Sequence, residues 1–173
     1  EEAGSHAAPI AAYERFRALA TPAEPYARLR QAAQERALGN LEDAAANYEA
    51  VARSDIPRGI RAGAYEQAIA LRRELGQSEA ALSLAVELLN LATQPEYRAR
   101  LLREYAELPR LQGDVPTSRA WLTEAIQTAP ASPDALAALA LLQGDAEAAV
   151  PAELAARVYE AHGRWPEAIA ALD

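Results

Sequence analysis

The chain contains no cysteine and no methionine among its 173 residues, and only two histidines and one phenylalanine. Without cysteine it can form no disulfide, no thiol nucleophile and no zinc–thiolate site. His6 and His162 lack a second histidine at ligand spacing, so the sequence predicts neither a metal site nor a cofactor. No apolar run approaches the roughly 20 residues that a membrane-spanning helix needs. These absences exclude a disulfide-bonded domain, a zinc module and a transmembrane protein.

Methionine is absent even from position 1, so we expect the chain to be processed or excised from a longer protein. Residues 4–6 (Gly-Ser-His) resemble a cloning remnant. The sequence stops at Asp173 inside a predicted helix that has no partner helix, and we expect further sequence downstream. The lack of cysteine suits either side of a bacterial membrane, so a cytoplasmic and an exported location both stay open.

Lysine is also absent: all 17 cationic side chains are arginine, in a chain of net charge −8 and pI near 4.9. This acidic balance argues against a nucleic-acid partner. Every cation is therefore a planar guanidinium that can hold a carboxylate through two parallel hydrogen bonds.

A glycine-centred phrase recurs along the chain at a nearly fixed interval. Gly39, Gly76 and Gly113 are 37 residues apart, Gly144 follows 31 residues later, and Gly163 opens a further copy. A period of this size indicates stacked helix pairs, each of which buries its apolar face against the next. We expect these glycines to adopt the left-handed conformation between the two helices of each pair.

Prolines and capping residues set the predicted helix boundaries, with Ser132 as an N-cap before Pro133. We predict an N-terminal tail and capping helix over 1–22, with the helix near 9–19, and a repeat domain over 23–173. The repeat domain has four to five helix pairs, the last one incomplete: 23–38 with 41–54, 58–75 with 78–92, 96–111 with 116–129, 133–143 with 145–150, and 151–162 with 165–173. Pro109 is expected to kink the third pair near Arg110. No segment alternates as a strand would.

The repeat resembles the tetratricopeptide repeat (TPR), in which a small turn residue is followed by small and bulky residues at fixed positions and a closing proline. The matching residues are Gly39, Ala44, Tyr48 and Pro57; Gly113, Ser118, Leu122, Ala125 and Pro130; and Gly163, Trp165, Ala168 and Leu172. The second unit departs from the pattern, since Ala85 stands where a bulky residue is expected. The resemblance implies an all-α, right-handed superhelical solenoid of antiparallel helix pairs.

The same resemblance places the first helix of each pair on a concave face. It implies partner-binding residues there: Tyr26, Arg36, Glu66, Arg73, Arg100, Arg103 and Arg110. They belong to sets spaced by three and four residues, which independently puts each set on one helical face: Tyr26, Leu29, Ala33 and Arg36; Gly63, Glu66, Ala70 and Arg73; and Arg100, Arg103, Glu107 and Arg110. Arg73, Arg100 and Arg103 would bind a carboxylated ligand such as a peptide. The alternative is that Arg100 and Arg103 pair with Glu96, Glu104 or Glu107 on their own helix.

No catalytic constellation is apparent, since the paired carboxylates fall on solvent-facing helical positions and the chain has no phosphate loop or nucleophile elbow. We therefore expect a non-enzymatic scaffold that binds a peptide or a partner domain in its groove. The alternative is the non-catalytic superhelical domain of an exported bacterial lytic transglycosylase, which the alanine-rich, arginine-only repeats resemble; its peptidoglycan-cleaving domain would lie downstream.

The end of the chain suggests one further partner. Ala168, Ile169 and Leu172 form an apolar face on the unfinished last pair, and a homo-oligomer through that end is expected. Trp165 stands at a turn position where a packed aromatic is expected, and Trp121 is expected to be partly exposed.

Overall fold

The computed structural model describes residues 12–13 and 22–173, and the regular structure of this part of the chain is all α-helix, with no strand. The helices, in chain order, are α1 (Glu24–Ala37), α2 (Leu41–Ala52), α3 (Arg58–Glu74), α4 (Ser78–Leu91), α5 (Pro95–Tyr105), α6 (Glu107–Leu111), α7 (Val115–Thr128), α8 (Pro133–Gln143), α9 (Ala152–Ala161) and α10 (Trp165–Leu172). The all-α prediction is confirmed for these residues. The predicted helix near 9–19 lies outside them except at residues 12–13, which are helical.

The chain divides after Leu91 into two compact units, whereas the repeat pattern predicts one domain over 23–173. In the first unit α1 packs on α2, α2 on α3, and α3 on α4. Many of the contacting side chains are small, which lets neighbouring helix axes approach closely. The fully buried side chains include Ala32, Ala44, Ala45, Val51, Ala52, Ala68, Ile69, Leu71, Ala81, Ala85 and Leu88.

Four glycines end a helix in the left-handed conformation: Gly39 (φ +81°), Gly76 (+71°), Gly113 (+80°) and Gly163 (+69°). At each one the glycine N–H donates to the carbonyl three residues earlier, and the next N–H donates to the carbonyl five residues before it, with N···O distances of 2.8–3.1 Å. This Schellman arrangement satisfies the last carbonyls of the helix and turns the chain back. The predicted left-handed conformation is confirmed at these four positions.

The second unit contains a helix break at Ala106, a few residues before the kink that we predicted near Arg110. The predicted helix over 96–111 is interrupted at Ala106, a turn residue between α5 and α6. Pro109 has no N–H, and its ring would clash with the carbonyl four residues earlier, at Tyr105. The helix therefore ends at Tyr105, and the predicted kink lies near Ala106 instead of near Arg110.

The predicted helix over 145–150 is wrong, because the structure has a turn at 146–147 and irregular backbone up to Pro151. Pro151 disfavours helical geometry at the residue before it. In addition, the Asp145 carboxylate accepts a hydrogen bond from the N–H of Glu147 at 3.1 Å, which closes a local turn in place of a helical one.

Gly144, which precedes this irregular segment, does not adopt the left-handed conformation of the other four turn glycines. Its φ is −77°, and its N–H donates to the carbonyl of Ala140 at 3.0 Å, an ordinary helical hydrogen bond. The prediction of a left-handed Gly144 is therefore wrong. A Schellman turn is not formed where no second helix returns along the first.

The remaining helices of the second unit pack around α7 and α8. Helix α5 contacts both, α6 contacts α7, and α9 contacts α7, α8 and α10. The Ser132 hydroxyl accepts a hydrogen bond from the N–H of Ala135 at 3.1 Å, which confirms the predicted N-cap of α8. The buried core of this unit includes Ala99, Leu101, Leu102, Leu108, Ala125, Ile126, Ala135, Ala138 and Val158.

Candidate functional site

In the first unit, Tyr26 lies on α1 beside a shallow depression. Its side chain is 43% exposed and lines a volume of about 530 Å³ together with Leu29 and Ala33. Tyr48 of α2 also borders this depression, and burial raises the pKa of its phenol. The surface is mostly apolar and open.

The other predicted residues of the first unit lie further along α1 and on α3. The guanidinium of Arg36 donates a hydrogen bond to the side-chain oxygen of Gln67, which joins the C-terminal part of α1 to α3. On α3, Glu66 is half-buried and Arg73 is exposed. The binding role of these residues, and a concave face formed by the first helices of successive pairs, stay predictions.

The predicted arginines of the second unit have different surroundings. Arg100 donates to Glu104 at 2.8 Å, and its guanidinium carbon lies 5.1 Å from the centroid of the Tyr97 ring. The alternative of a pair within the same helix is thus confirmed for Arg100. It is wrong for Arg103, whose Nε donates to Asp134 on α8 at 2.8 Å.

Arg103 and Arg110 line a groove of about 290 Å³ between α5, α6, α7 and α8. A third guanidinium in this groove comes from Arg119 on α7. Apolar lining is supplied by Leu122, which is nearly buried, and by Leu141, which is 54% exposed. We call this feature the arginine groove and define it by Arg103, Arg110, Arg119, Leu122, Leu141 and Asp145. Its lining also includes the side chains of Glu104 and Glu107.

The Asp145 carboxylate holds two of the three guanidiniums. Arg119 binds it bidentately through one edge of its guanidinium, with Nε and Nη2 at 3.0 and 2.9 Å from the two carboxylate oxygens. Arg110 Nη1 lies 3.4 Å from one of the same oxygens. Hydrogen bonds from the Arg119 side chain and from the Glu147 N–H lower the pKa of Asp145 from 3.8 to about 2. Asp145 is therefore ionised near neutral pH and acts only as an acceptor.

Arg119 is the groove residue that sequence reasoning missed. The repeat pattern places it on the second helix of its pair, away from the predicted binding face. Its partner Asp145 lies 26 positions later, beyond any helical spacing. No local signal in the sequence marks this pair, because three-dimensional packing alone brings α7 beside the segment after α8.

A buried carboxylate in the first unit was also not predicted. Glu35 is 5% exposed and accepts hydrogen bonds from the side-chain amides of Gln31 and Asn47, both at 2.7 Å. Arg28 donates in turn to the Asn47 side-chain oxygen at 3.1 Å. These bonds link α1 to α2 and satisfy buried polar groups, so we assign this network to the pairing of the two helices.

The last helix exposes a stripe of large apolar side chains: Trp165 (59% exposed), Ile169 (62%) and Leu172 (60%). The expectation that Trp165 is packed is therefore wrong. The prediction that Ala168 belongs to the exposed apolar face is also wrong, because Ala168 is only 4% exposed. Ala168 faces the interior, and the stripe follows a different helical face at spacings of four and three. The homo-oligomer through this end stays a prediction. Trp121 is half-buried, in agreement with the expected partial exposure.

Within the part of the chain that the structure describes, no cluster of three histidine or acidic side chains is placed to hold a metal ion. His162 ends α9, and its Nε2 lies 3.1 Å from the carbonyl oxygen of Ser132. None of the described helices combines the length and the apolar character needed to cross a bilayer.

No protein-family model matches the chain, and no curated protein matches it. Among solved structures, the crystal structure of BtubC (BKLC) from P. vanneervenii resembles it with a TM-score of 0.51, over 99% of this chain and 87% of that one. The two sequences are 16% identical. This likeness concerns the fold and assigns no role to the residues of the arginine groove.

Proposed function

We propose that the chain is a non-enzymatic protein-interaction scaffold that binds an acidic peptide segment of a partner protein in the arginine groove. The observation that carries the proposal is the convergence of Arg103, Arg110 and Arg119, from three different helices, on one groove of about 290 Å³. Guanidinium forks bind carboxylates through charge-assisted hydrogen bonds, and such bonds are among the strongest that side chains make.

The groove also suits the apolar part of a short peptide. Leu141 is 54% exposed beside the guanidiniums, and Leu122 borders the same space. Apolar contact with a ligand would remove this surface from water, while the arginines would fix the ligand's orientation. The volume suits a few side chains and not the face of a folded domain, which favours a peptide over a partner domain.

For the architecture, we propose a right-handed superhelical solenoid of TPR-like helix pairs. The recurrent Schellman turns at Gly39, Gly76, Gly113 and Gly163 support it. So does the burial of small residues at the repeat positions: Ala44, Ser118, Ala125 and Ala168. The likeness to BtubC concerns the fold alone.

The test is a binding titration with a matched pair of peptides, Glu-Glu-Leu-Glu-Glu-Leu and Gln-Gln-Leu-Gln-Gln-Leu, each carrying a rhodamine label read by fluorescence anisotropy. We expect the acidic peptide to bind and the neutral one to bind at least tenfold more weakly. An Arg103→Gln/Arg110→Gln double variant should weaken binding of the acidic peptide by about tenfold or more, because each charge-assisted hydrogen bond contributes roughly 1.5–3 kcal/mol.

The matched control is Arg157→Gln/Arg164→Gln, which removes the same charge from exposed positions on α9 and before α10. It should bind as the wild type does. A second comparison, Arg73→Gln/Arg100→Gln, separates the arginine groove from the set of arginines predicted from the repeat alone. Equal loss in all three double variants would mean that general charge, not the groove, attracts the peptide.

The alternative function, the non-catalytic domain of an exported lytic transglycosylase, stays a prediction. Its test is whether the full-length gene encodes an export signal upstream and a lysozyme-like domain downstream.

A further inference from the structure

The arginine groove already contains a carboxylate, and that carboxylate comes from the chain itself. Asp145 accepts hydrogen bonds from one edge of the Arg119 guanidinium, the Nε–H at 3.0 Å and the Nη2–H at 2.9 Å, and lies 3.4 Å from Arg110 Nη1. The same Nη2 also donates to Glu147 at 3.2 Å. A ligand carboxylate bound to Arg119 in the same bidentate way would need the same two N–H groups. Asp145 and an acidic ligand therefore compete for one set of donors.

Among residues 22–173, the segment that carries Asp145 is where the repeat pattern predicts a helix and the structure has none. Residues 145–150 form a turn followed by irregular backbone, and Ala146, Glu147 and Ala149 are exposed. Its backbone hydrogen bonds are local: the Asp145 N–H donates to the carbonyl of Leu142 at 3.1 Å, the Ala148 N–H to the carbonyl of Asp145 at 2.9 Å, and the Glu147 N–H to the Asp145 side chain. Two carboxylates link this segment to Arg119 on α7: Asp145, which is 12% exposed, and Glu147, which is 84% exposed and lies 3.2 Å from Arg119 Nη2.

The two arginines are held to different degrees. Arg119 is 26% exposed and bound bidentately, whereas Arg110 is 58% exposed and makes one long contact. Arg103 is directed to Asp134 on α8 instead of to Asp145. An incoming carboxylate can thus engage Arg110 first, without breaking a strong bond, and can then replace Asp145 at Arg119.

We propose that segment 145–150 is an internal, autoinhibitory occupant of the arginine groove, with Asp145 holding the place of the partner's carboxylate until an acidic peptide displaces it. This inference rests on the proposed function and adds its regulation.

The experiment titrates the full chain with the labelled Glu-Glu-Leu-Glu-Glu-Leu peptide and compares the wild type with Asp145→Asn. Removing the competing carboxylate should tighten binding by about fivefold to thirtyfold, the range expected when one ion-pair competitor of moderate strength is lost. Glu167→Gln is the matched control, because it removes the same charge from the second unit at a carboxylate that lies on α10 and binds Arg164. Its affinity should equal that of the wild type.

A second measurement uses the unaltered protein, so it does not depend on how Asp145→Asn folds. In ¹H–¹⁵N NMR spectra, the acidic peptide should shift the Arg119 Nε–Hε signal together with the backbone amides of residues 146–150, because Asp145 leaves as the peptide arrives. The neutral Gln-Gln-Leu-Gln-Gln-Leu peptide should leave all of these signals in place.

The outcomes separate the two proposals. Tighter binding by Asp145→Asn, with coupled shifts at Arg119 and 146–150, supports autoinhibition. Arginine-dependent binding whose affinity is unchanged by Asp145→Asn, or shifts confined to Arg103 and Arg110, overturns the autoinhibition and leaves the proposed function standing. Absence of acidic-peptide binding to both proteins overturns the proposed function and the inference together.

Discussion

Two arginines of the first unit, Arg72 and Arg53, join three helices in one continuous chain of ion pairs, whereas two arginines of the arginine groove in the second unit, Arg110 and Arg119, meet at a loop carboxylate. In the first unit Arg72 donates to Glu42 at 2.5 Å and to Glu49 at 2.6 Å, and Arg53 links Glu49 to Glu87 at 3.2 and 2.8 Å. Here arginines bridge regular helices. In the second unit Arg119 and Arg110 instead hold a segment that has no helix.

The arginines of the first unit pack between complete helix pairs, whereas the proposed recognition site of the second unit lies where a pair is incomplete. Arg72 is 11% exposed and lies between two carboxylates, so a ligand has little access to it. Arg110 is 58% exposed beside a groove. Four experiments test how far this contrast between the units extends.

The largest effect is expected from the core of the first unit. Ile69 is fully buried, and Ile69→Ala should lower the free energy of unfolding by about 2–5 kcal/mol through lost burial and a residual cavity. The matched control is Ile169→Ala in the second unit, where the same side chain is 62% exposed and the change should stay within about 0.5 kcal/mol. Urea denaturation followed by circular dichroism measures both. A large decrease in unfolding free energy for Ile169→Ala would mean that the apolar stripe around Ile169 is covered in solution.

The next effect compares two turn glycines. Gly113 has φ +80°, where a Cβ is strained, so Gly113→Ala should destabilise the protein by about 1–2 kcal/mol. Gly144 has φ −77° and is open to a Cβ except for the Ala140 carbonyl at 3.4 Å, so Gly144→Ala should change stability by no more than about 0.5 kcal/mol. An equal decrease in Tm for Gly113→Ala and Gly144→Ala in thermal melts would contradict the difference in backbone geometry between the two turns.

A smaller effect is expected from the ion pairs. Arg72→Gln should lower the free energy of unfolding by about 1 kcal/mol, because Glu49, which is 18% exposed, loses the arginine 2.6 Å away and keeps only the longer contact to Arg53. Arg119→Gln should destabilise the protein less, since its side chain is more exposed. Chemical denaturation of the two variants measures which one loses more unfolding free energy. A larger loss for Arg119→Gln would mean that the Arg119–Asp145 pair mainly stabilises the fold.

The smallest expected effect is the pH dependence of the stability that Asp145 contributes. The pKa of Asp145 is lowered from 3.8 to about 2 in the folded chain, so its stabilising contribution is complete above about pH 4 and is lost as the pH falls through 2. We expect the difference in Tm between the wild type and Asp145→Asn to be constant above pH 4 and to shrink toward pH 2. A difference that does not change over this interval would mean that Asp145 is not held by Arg119 in solution.

Much of the fold could be predicted because its signals are local. The turn glycines, the Ser132 cap and the closing prolines act on backbone within a few residues, and the helix bounds that they predict agree with the structure to within one to three residues. The predictions over 145–150 and at Gly144 failed where two local preferences conflicted. A repeat pattern favoured a helix there, while Pro151 and the Asp145 side chain favoured a turn.

The candidate site was predicted only in part. Arg103 and Arg110 do lie in one groove, but Arg100 turns to its own helix and Arg119 was not expected. Which face a guanidinium points to depends on carboxylates that are distant in the sequence, such as Asp134 for Arg103. Helical spacing fixes the side of a helix on which a residue stands, and it leaves the long arginine side chain free to choose its partner.

The sequence alone therefore determined the helices, their turns and the arginine-only character of every cation, because propensity, capping and φ preferences act over a few residues. The tertiary structure decided the rest. Packing of α5 to α8 brought Arg103, Arg110 and Arg119 to one groove and set Asp145 against two of them. It also decided that Glu35 is buried between amides and that Trp165 is exposed. Contacts between residues 26 or more positions apart depend on how helices dock, and no local pattern encodes that.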